Sequence, residues 1–222
     1  MSHSYGPEPE ENLDVLRRLD LHLGRLLAAL DQFPKGSVLL ALSADHGMNT
    51  IPEAERFRDP SFKGGRLTNY PRALPSFDEL LNRLVSEELC LPEGSKPLFG
   101  AEGWSLMYNR PGLPLRTVEG PCGPADRLVT AETLDAALPK LITHAFREEI
   151  AEVLPVSQRD RWPKDDPAVE FALNDFDPER SGDAFLIPQP NAIMHWDPAR
   201  GTNHGTHHEY DTHVPLIFWG AG

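Results

Sequence analysis

Cysteine is scarce in this sequence, and its scarcity excludes two kinds of protein. Cys90 and Cys122 are the only cysteines among 222 residues, too few and too far apart for a cysteine-rich metal site or a small disulfide scaffold. The sequence leaves open whether the two pair or stay free. No run approaches the roughly 18 consecutive apolar residues that a membrane span needs, and the first residues lack the basic and apolar segments of a secretory signal.

Basic residues are also in deficit, with 21 Lys and Arg against 34 Asp and Glu and a net charge of −13. This argues against a nucleic-acid-binding protein, whose affinity comes largely from cationic contacts to phosphates. The hydrophobic fraction of 40% is that of an ordinary globular protein. The 17 glycines and 22 prolines exceed average usage, so we expect long ordered loops, which often carry functional sites.

The apolar pattern predicts an α/β fold. Leucines spaced three and four residues apart indicate a helix over 12–32. The short run 37–44 is apolar nearly without alternation, which is typical of a strand covered on both faces in a parallel sheet. We also predict a helix over 76–89 that begins with a Ser76–Glu79 capping box, a helix over 130–141, and a second helical stretch that ends near 153. Strands are predicted over 104–109, 184–187 and 214–219. The prediction is a mostly parallel sheet flanked by helices, with room for a cap or insertion in 49–180.

Asp45-His46-Gly47 directly follows the predicted strand 37–44. Ligands of open α/β sheets bind at the carboxyl ends of strands, and carboxylate oxygens and imidazole nitrogens are both good Zn²⁺ donors. A turn with a capping Asp explains these residues equally well.

Five of the nine histidines crowd into nineteen residues near the end of the chain, which invites a metal interpretation: His195, His204, His207, His208 and His213. For His195, His207 and His208, exposure on a polar loop without any task is the simpler interpretation.

Further motifs favour the metal-binding interpretation over a turn or an exposed loop. His3-Ser4-Tyr5-Gly6-Pro7 precedes the leucine-striped helix, Arg180-Ser181-Gly182-Asp183 precedes a predicted strand, and Gly201-Thr202-Asn203-His204-Gly205 leads into Tyr210-Asp211-Thr212-His213-Val214-Pro215. In this combination and order, together with Asp45-His46-Gly47, the chain resembles the alkaline phosphatase superfamily, in its type I phosphodiesterase / nucleotide pyrophosphatase branch. The segment 204–215 looks most like bacterial phosphate-irrepressible alkaline phosphatases.

The resemblance implies a two-zinc site that activates a Thr or Ser nucleophile for phosphoryl transfer. By motif, His3 and His204 would bind the first zinc, and Asp45 and His46 the second; His213 is the alternative to His204. Tyr210, Asp211 and His213 are candidates for hydrogen-bond partners of the ligating histidines, whereas we expect Arg180 and Asp183 to order a turn. The resemblance also implies a small phosphorylated substrate and a periplasmic or secreted location.

The chain departs from the superfamily at its start. The Asp of the first motif would fall before Met1, and the nucleophile and a second-site Asp would lie further upstream. We therefore expect residues 1–222 to be the C-terminal part of an alkaline-phosphatase-like catalytic domain, cut at both ends, inactive alone, whose parent is a zinc-dependent phosphomonoesterase. The alternatives are a phosphodiesterase or nucleotide pyrophosphatase on the same scaffold, and a non-catalytic metal-binding remnant. The sequence indicates neither the substrate nor the oligomeric state.

Overall fold

The structure is a computed structural model that describes residues 2–69 and 75–220. Within these ranges the chain forms seven α-helices: α1 (Ser2–Tyr5), α2 (Glu10–Leu30), α3 (Pro52–Arg58), α4 (Phe77–Glu88), α5 (Ala131–Ala145), α6 (Pro167–Asp175) and α7 (Glu209–Thr212). It also forms ten strands: β1 (Leu40–Ser43), β2 (Arg66–Leu67), β3 (Leu98–Glu102), β4 (Ser105–Tyr108), β5 (Leu115–Arg116), β6 (Leu128–Val129), β7 (Ile150–Pro155), β8 (Ala184–Pro188), β9 (Ile193–Met194) and β10 (Leu216–Trp219). The α/β class predicted from the sequence is confirmed.

A four-stranded sheet organises the core, with strand order β3-β4-β8-β7 and every neighbouring pair antiparallel. Because side chains alternate between the two faces of a strand, β8 serves two hydrophobic clusters. Leu186 packs in the larger cluster with the apolar faces of α4 and α5. Phe185 and Ile187 pack in a second cluster with Trp162 and Val169, the latter on α6. The sheet is therefore covered by helices on both sides.

The predicted mostly parallel sheet is wrong. In the described ranges only the short pair β2 and β9 is parallel. The prediction took the apolar run 37–44 for a strand buried on both faces, but β1 pairs antiparallel with β10 in a separate two-stranded ribbon. Side chains of this ribbon and its flanks, such as Leu39, Leu216 and Phe218, are exposed. A continuous apolar run thus marked an uncovered strand.

Helix boundaries follow the sequence signals closely except at one place. The Ser76–Glu79 capping box of α4 is present, with the Ser76 Oγ accepting from the Glu79 N–H at 3.2 Å and the Ser76 N–H donating to Glu79 Oε2 at 2.8 Å. Helix α5 begins after its predicted N-cap Thr130. The predicted helical stretch ending near Val153 is wrong, because Ile150–Pro155 is strand β7, which pairs along β8. Long-range pairing outweighed local propensity there.

Two further features bear on function. Cys90 and Cys122 form a disulfide with a Cα–Cα distance of 5.9 Å, which joins the end of α4 to the loop between β5 and β6. None of the helices in the described ranges, including the 21-residue α2, is both long and apolar enough to cross a membrane. The interpretation of 49–180 as holding a cap or insertion stays a prediction.

Candidate functional site

Three chain segments distant in sequence meet at the four residues predicted to bind metal. The imidazole rings of His46 and His204 stack, with centroids 3.3 Å apart and an interplanar angle of 12°. The His3 ring centroid lies 5.1 Å from that of His204. The Asp45 Oδ2 is 3.7 Å from His46 Nε2. The fold thus brings His3, Asp45, His46 and His204 into one cluster, while their role as metal ligands stays a prediction.

Backbone hydrogen bonds hold the Asp45-His46 loop against the final helix. The N–H of Gly47 donates to the Asp211 carbonyl at 2.7 Å, and the N–H of Met48 donates to the Tyr210 carbonyl at 2.9 Å. A Cβ on Gly47 would collide with the Tyr210 carbonyl oxygen. Gly47 is therefore required by the close approach of two backbones.

Thr202 joins the first segment to the other two. Its N–H donates to the His3 carbonyl at 2.8 Å, and its own carbonyl lies 3.1 Å from His3 Nδ1. Its hydroxyl, wholly buried, donates to the carbonyls of Asn49 and Thr50 at 3.0 and 2.8 Å. The sequence singled out Thr202 only as part of a motif, because the partners of its hydroxyl lie about 150 residues away in the chain.

The hydrogen bonds of the histidine rings suit metal ligation. His46 Nδ1 is 2.6 Å from the Gly47 carbonyl, and His3 Nδ1 is 3.1 Å from the Thr202 carbonyl. A carbonyl can only accept, so this geometry assigns the proton to Nδ1 in each ring. The lone pair of Nε2 is then the one available to a metal ion, the usual arrangement for a ligating histidine.

The cluster does not by itself complete a coordination shell. Within residues 2–69 and 75–220, no group of three or more His, Cys, Asp or Glu side chains is arranged to hold a metal ion. Catalytic zinc usually has three protein ligands. The described part of the chain thus offers donors of the right chemistry, but not the three converging ligands that a catalytic zinc site usually has.

The surroundings of His204 favour its neutral form. Burial lowers the pKa of His204, and the neighbouring His46 and His3 lower it further, against the opposing effect of Asp211 and Asp45. Only the neutral ring can donate a lone pair to a metal. The cluster therefore holds His204 in the form that metal binding requires.

Asp211 fixes the turn that follows His204. This carboxylate is buried, and its Oδ2 accepts hydrogen bonds from the N–H and the hydroxyl of Thr206 at 2.8 and 2.7 Å. Its Oδ1 is also buried and has no hydrogen-bond partner within the described parts of the chain. Asp211 acts on His204 through the loop conformation and through its charge. By contrast, Tyr210 uses its hydroxyl to accept from the Asn191 N–H at 3.0 Å.

The remaining histidines occupy varied surroundings. His195 is buried, which corrects the exposed-loop interpretation; its Nδ1 accepts from the Asp197 N–H at 2.9 Å. His207 and His208 are partly buried, and His208 Nε2 lies 3.2 Å from the Pro188 carbonyl. His213, the alternative ligand, is exposed. His195 directly follows β9, and a strand of two residues leaves no apolar pattern in the sequence that would indicate burial.

Asp183 has the structural task that we expected. Its Oδ2 accepts from the Tyr108 N–H at 2.6 Å, and its Oδ1 accepts from Arg110 Nε at 2.6 Å. These bonds tie the turn before β8 to the end of β4. Arg180 contributes its backbone N–H to the same turn, donating to Asp177 Oδ1 at 3.1 Å.

Arg66 is a contributor that sequence analysis missed. Its guanidinium donates to the carbonyls of Asp197, Arg200 and Gly201 at 3.2, 3.1 and 2.8 Å, and forms a two-pronged ion pair with Glu53 at 2.7 and 2.6 Å. The pKa of Glu53 is lowered: burial alone would raise it, but the hydrogen bond and charge of Arg66 prevail. Arg66 thereby clamps the loop that leads into His204. No local motif surrounds it.

Comparison with known proteins shows what the chain is similar to. The family profile described as "Type I phosphodiesterase / nucleotide pyrophosphatase" matches residues 1–86, a range that includes His3, Asp45 and His46. "Alkaline phosphatase PhoD" of Zymomonas mobilis is 29% identical over 226 residues, covering 99% of this chain and 35% of that protein. The chain is similar to members of the alkaline phosphatase superfamily.

One solved structure shares the fold, and a further sequence relative matches the chain. The crystal structure of wild type alkaline phosphatase PafA superposes with a TM-score of 0.73 at 21% identity, covering 100% of this chain and 38% of that one. A protein of Myroides odoratus named "Calcium-transporting ATPase" is 26% identical and also matches over the whole chain. The chain spans little more than a third of the length of the relatives it matches.

Proposed function

We propose that this chain is part of a zinc-dependent phosphomonoesterase of the alkaline phosphatase type. The observation that carries the proposal is the convergence of the His3, His46 and His204 rings, with Asp45 beside them. His3 and His204 would hold one zinc, and Asp45 and His46 the other. Bound zinc would stabilise charge on the phosphoryl oxygens and lower the pKa of a hydroxyl nucleophile.

The chain's own residues orient and tune these donors. Gly47 and Thr202 hold the His46 and His3 loops together through backbone contacts. The Gly47 and Thr202 carbonyls leave Nε2 of each ring free for the metal. We propose that the remaining ligands and the Thr or Ser nucleophile come from outside these 222 residues. Within residues 2–69 and 75–220 no three metal-binding side chains are arranged to hold an ion, and the chain spans about 35% of the length of a relative.

Two alternatives are supported by specific observations. The matching family profile carries the name of phosphodiesterases, which favours a diester-cleaving enzyme on the same scaffold. The shortage of ligands in the described ranges favours a metal-binding remnant without catalysis. The alkaline phosphatases among the relatives favour the monoesterase.

We further propose a periplasmic or secreted location. The disulfide between Cys90 and Cys122 supports it, because such bonds persist in oxidising compartments and are rare in the reducing cytosol of most organisms.

The test is hydrolysis of an aryl phosphate and an aryl phosphodiester by a version of the protein extended upstream to the length of its relatives. We expect zinc-dependent monoester hydrolysis that Asp45→Ala abolishes. The Asp45 side chain is 88% exposed, so the substitution should leave the fold intact. Asp20→Ala, an exposed carboxylate on α2, is the matched control. Full activity of the Asp45 variant would overturn the site assignment, and a diester preference would overturn the monoesterase assignment alone.

The 222-residue chain should show no turnover and only weak zinc affinity, since losing a nucleophile removes many orders of magnitude in rate. Calorimetric zinc titration and an aryl phosphate assay of the chain, compared with the extended version, measure both. Zinc-dependent turnover by the chain alone would place the nucleophile within these residues and would contradict the motif alignment.

A further inference from the structure

A cavity of about 300 Å³ opens beside His204. Its walls come from strand β8, helix α6, the turn between β3 and β4, and the loop 203–207. Its volume is at the lower end of the range for small-molecule sites, which suits one ring or a fused pair of rings. Among the residues that the structure describes, His204 is the one candidate metal ligand that lines it.

The interior of the cavity is aromatic and aliphatic. Trp104, half-buried, and Phe171, 38% exposed, contribute ring surface from the turn and from α6 respectively. Leu186, Ile187 and Met194 are buried and also line the cavity. Trp104 is held in place through its backbone, because its carbonyl accepts from the Leu186 N–H at 2.8 Å. Ring faces and aliphatic side chains of this kind favour an aromatic ligand through packing and apolar burial.

The charged groups on the wall are carboxylates. Glu102 at the turn and Asp175 at the end of α6 both line the cavity and are exposed. Two negative charges beside an apolar cavity repel a ligand that carries its own anionic group there, which is specificity by exclusion. The cavity thus fits a ring that is neutral or cationic.

We propose that this cavity binds the alcohol portion of a phosphate ester when that portion is an aromatic ring without an anionic group. The inference rests on the proposed function, because it assumes that the phosphoryl group lies at the metal cluster. With the phosphoryl group beside His204, the ester oxygen can point towards the cavity and the ring can enter it. Binding energy from this non-reacting part of the substrate would then favour aryl esters over alkyl esters.

Binding of 2-naphthol to the chain itself tests the cavity without any turnover. Titration is followed by ligand-observed NMR, with 2-naphthol-6-sulfonate as the anionic counterpart. We expect 2-naphthol to bind, the sulfonate to bind much more weakly, and Phe171→Ala to weaken 2-naphthol about tenfold, as expected for losing one aromatic contact surface. Phe99→Ala is the matched control, since Phe99 is an exposed phenylalanine that lines a different cavity.

Charge variants test independently whether the two carboxylates exclude an anionic ligand. Glu102→Gln combined with Asp175→Asn should bring the affinity for the sulfonate close to that for 2-naphthol. Both side chains are exposed, so these changes should preserve the fold. Equal affinity of the Phe171→Ala and wild-type chains for 2-naphthol, or no response of sulfonate binding to the charge variants, would overturn the proposal.

Turnover separates this inference from the proposed function. In the extended protein, Phe171→Ala should lower kcat/KM for 2-naphthyl phosphate about tenfold, as the lost aromatic contact predicts, while leaving that for methyl phosphate unchanged. An equal loss for both esters would overturn the subsite. An extended protein that binds 2-naphthol through Phe171 yet hydrolyses neither ester would overturn the phosphatase proposal while the cavity stands as an aromatic-binding site.

Discussion

Helices α2 and α4 carry similar apolar stripes but differ in what covers them. The apolar face of α4 is buried against the four-stranded sheet, with Leu81 and Val85 fully inaccessible. The stripe of α2 is exposed at Leu13, Leu16 and Leu19. Both patterns correctly predicted a helix. The difference shows that periodicity indicates an apolar face without indicating that this chain covers it.

The candidate site lies where these two regions meet. His3 belongs to α1 and Asp45-His46 follows β1, on the side of the exposed helix and ribbon. His204 follows β9 and lines the cavity at the buried sheet. Thr202, Tyr210 and Asp211 supply the backbone bonds that join the two sides. The site therefore lies at the boundary between a well-packed region and a poorly covered one.

The largest expected effect comes from the packed region. Leu138, on α5, is 0% exposed, and Leu138→Ala should lower the free energy of unfolding by about 2–5 kcal/mol through lost burial and a cavity. Leu16→Ala on α2, where the side chain is 58% exposed, should change it by about 0.5 kcal/mol or less. Urea denaturation of both variants measures the contrast, and equal losses would contradict the division into two regions.

Removing the Arg66 clamp should have the next largest effect. Arg66→Ala leaves the Glu53 carboxylate and three loop carbonyls without their donor, at a cost of about 1.5–3 kcal/mol. Because the folded state lowers the pKa of Glu53 from its usual 4.5, the ionic part of this stability is present above that pH and is lost as the pH falls through the folded pKa.

The penalty of Arg66→Ala should therefore shrink in acid, which denaturation at neutral and acidic pH would measure. Arg83→Ala on α4 is the control, since it removes an exposed arginine from the packed region. A penalty that stays constant with pH would show that the Glu53 pair adds nothing to the clamp.

Substitution of Gly47 tests the boundary between the two regions directly. Gly47→Ala places a methyl group against the Tyr210 carbonyl, so we expect a loss of about 1–3 kcal/mol by overpacking and faster hydrogen exchange at the Met48 amide. Gly24→Ala is the matched control: Gly24 lies inside α2 with nothing near its missing Cβ, and alanine there should stabilise the helix by about 0.5–1 kcal/mol. Unchanged hydrogen exchange at the Met48 amide would show that the boundary accommodates the added methyl group.

The smallest effect on stability is expected on the ribbon. Phe218→Lys on β10 should change the free energy of unfolding by about 0.5 kcal/mol or less while reducing self-association, because it interrupts the exposed apolar surface that Phe218 shares with Leu216 on one face of the strand. Phe57 on α3, an isolated exposed phenylalanine, provides the control variant Phe57→Lys, which should not alter association. Analytical ultracentrifugation over a range of concentrations distinguishes them.

Local signals predicted much of this molecule. The capping box at Ser76 located α4, and Thr130 located the start of α5. The four candidate ligands were chosen by motif, and the fold brings all four together across up to two hundred residues of sequence. Their role as metal ligands stays a prediction.

The errors came from long-range pairing. The direction of β1 depends on its partner β10, about 175 residues away in the chain, and β7 is a strand because β8 pairs with it. Burial of His195 and the bonds of Arg66 likewise depend on segments joined only by folding. A single sequence holds no local signal for such contacts.

Zinc titration of the chain, followed by NMR of the histidine side chains, tests whether His3, Asp45, His46 and His204 bind metal. We expect the imidazole nitrogens of His3, His46 and His204 to respond together, Asp45→Ala to weaken the response of His46, and the exposed His22 and His144 not to respond. A response confined to His195, His207, His208 or His213, with His204 silent, would contradict the assignment of His3, Asp45, His46 and His204 as metal ligands.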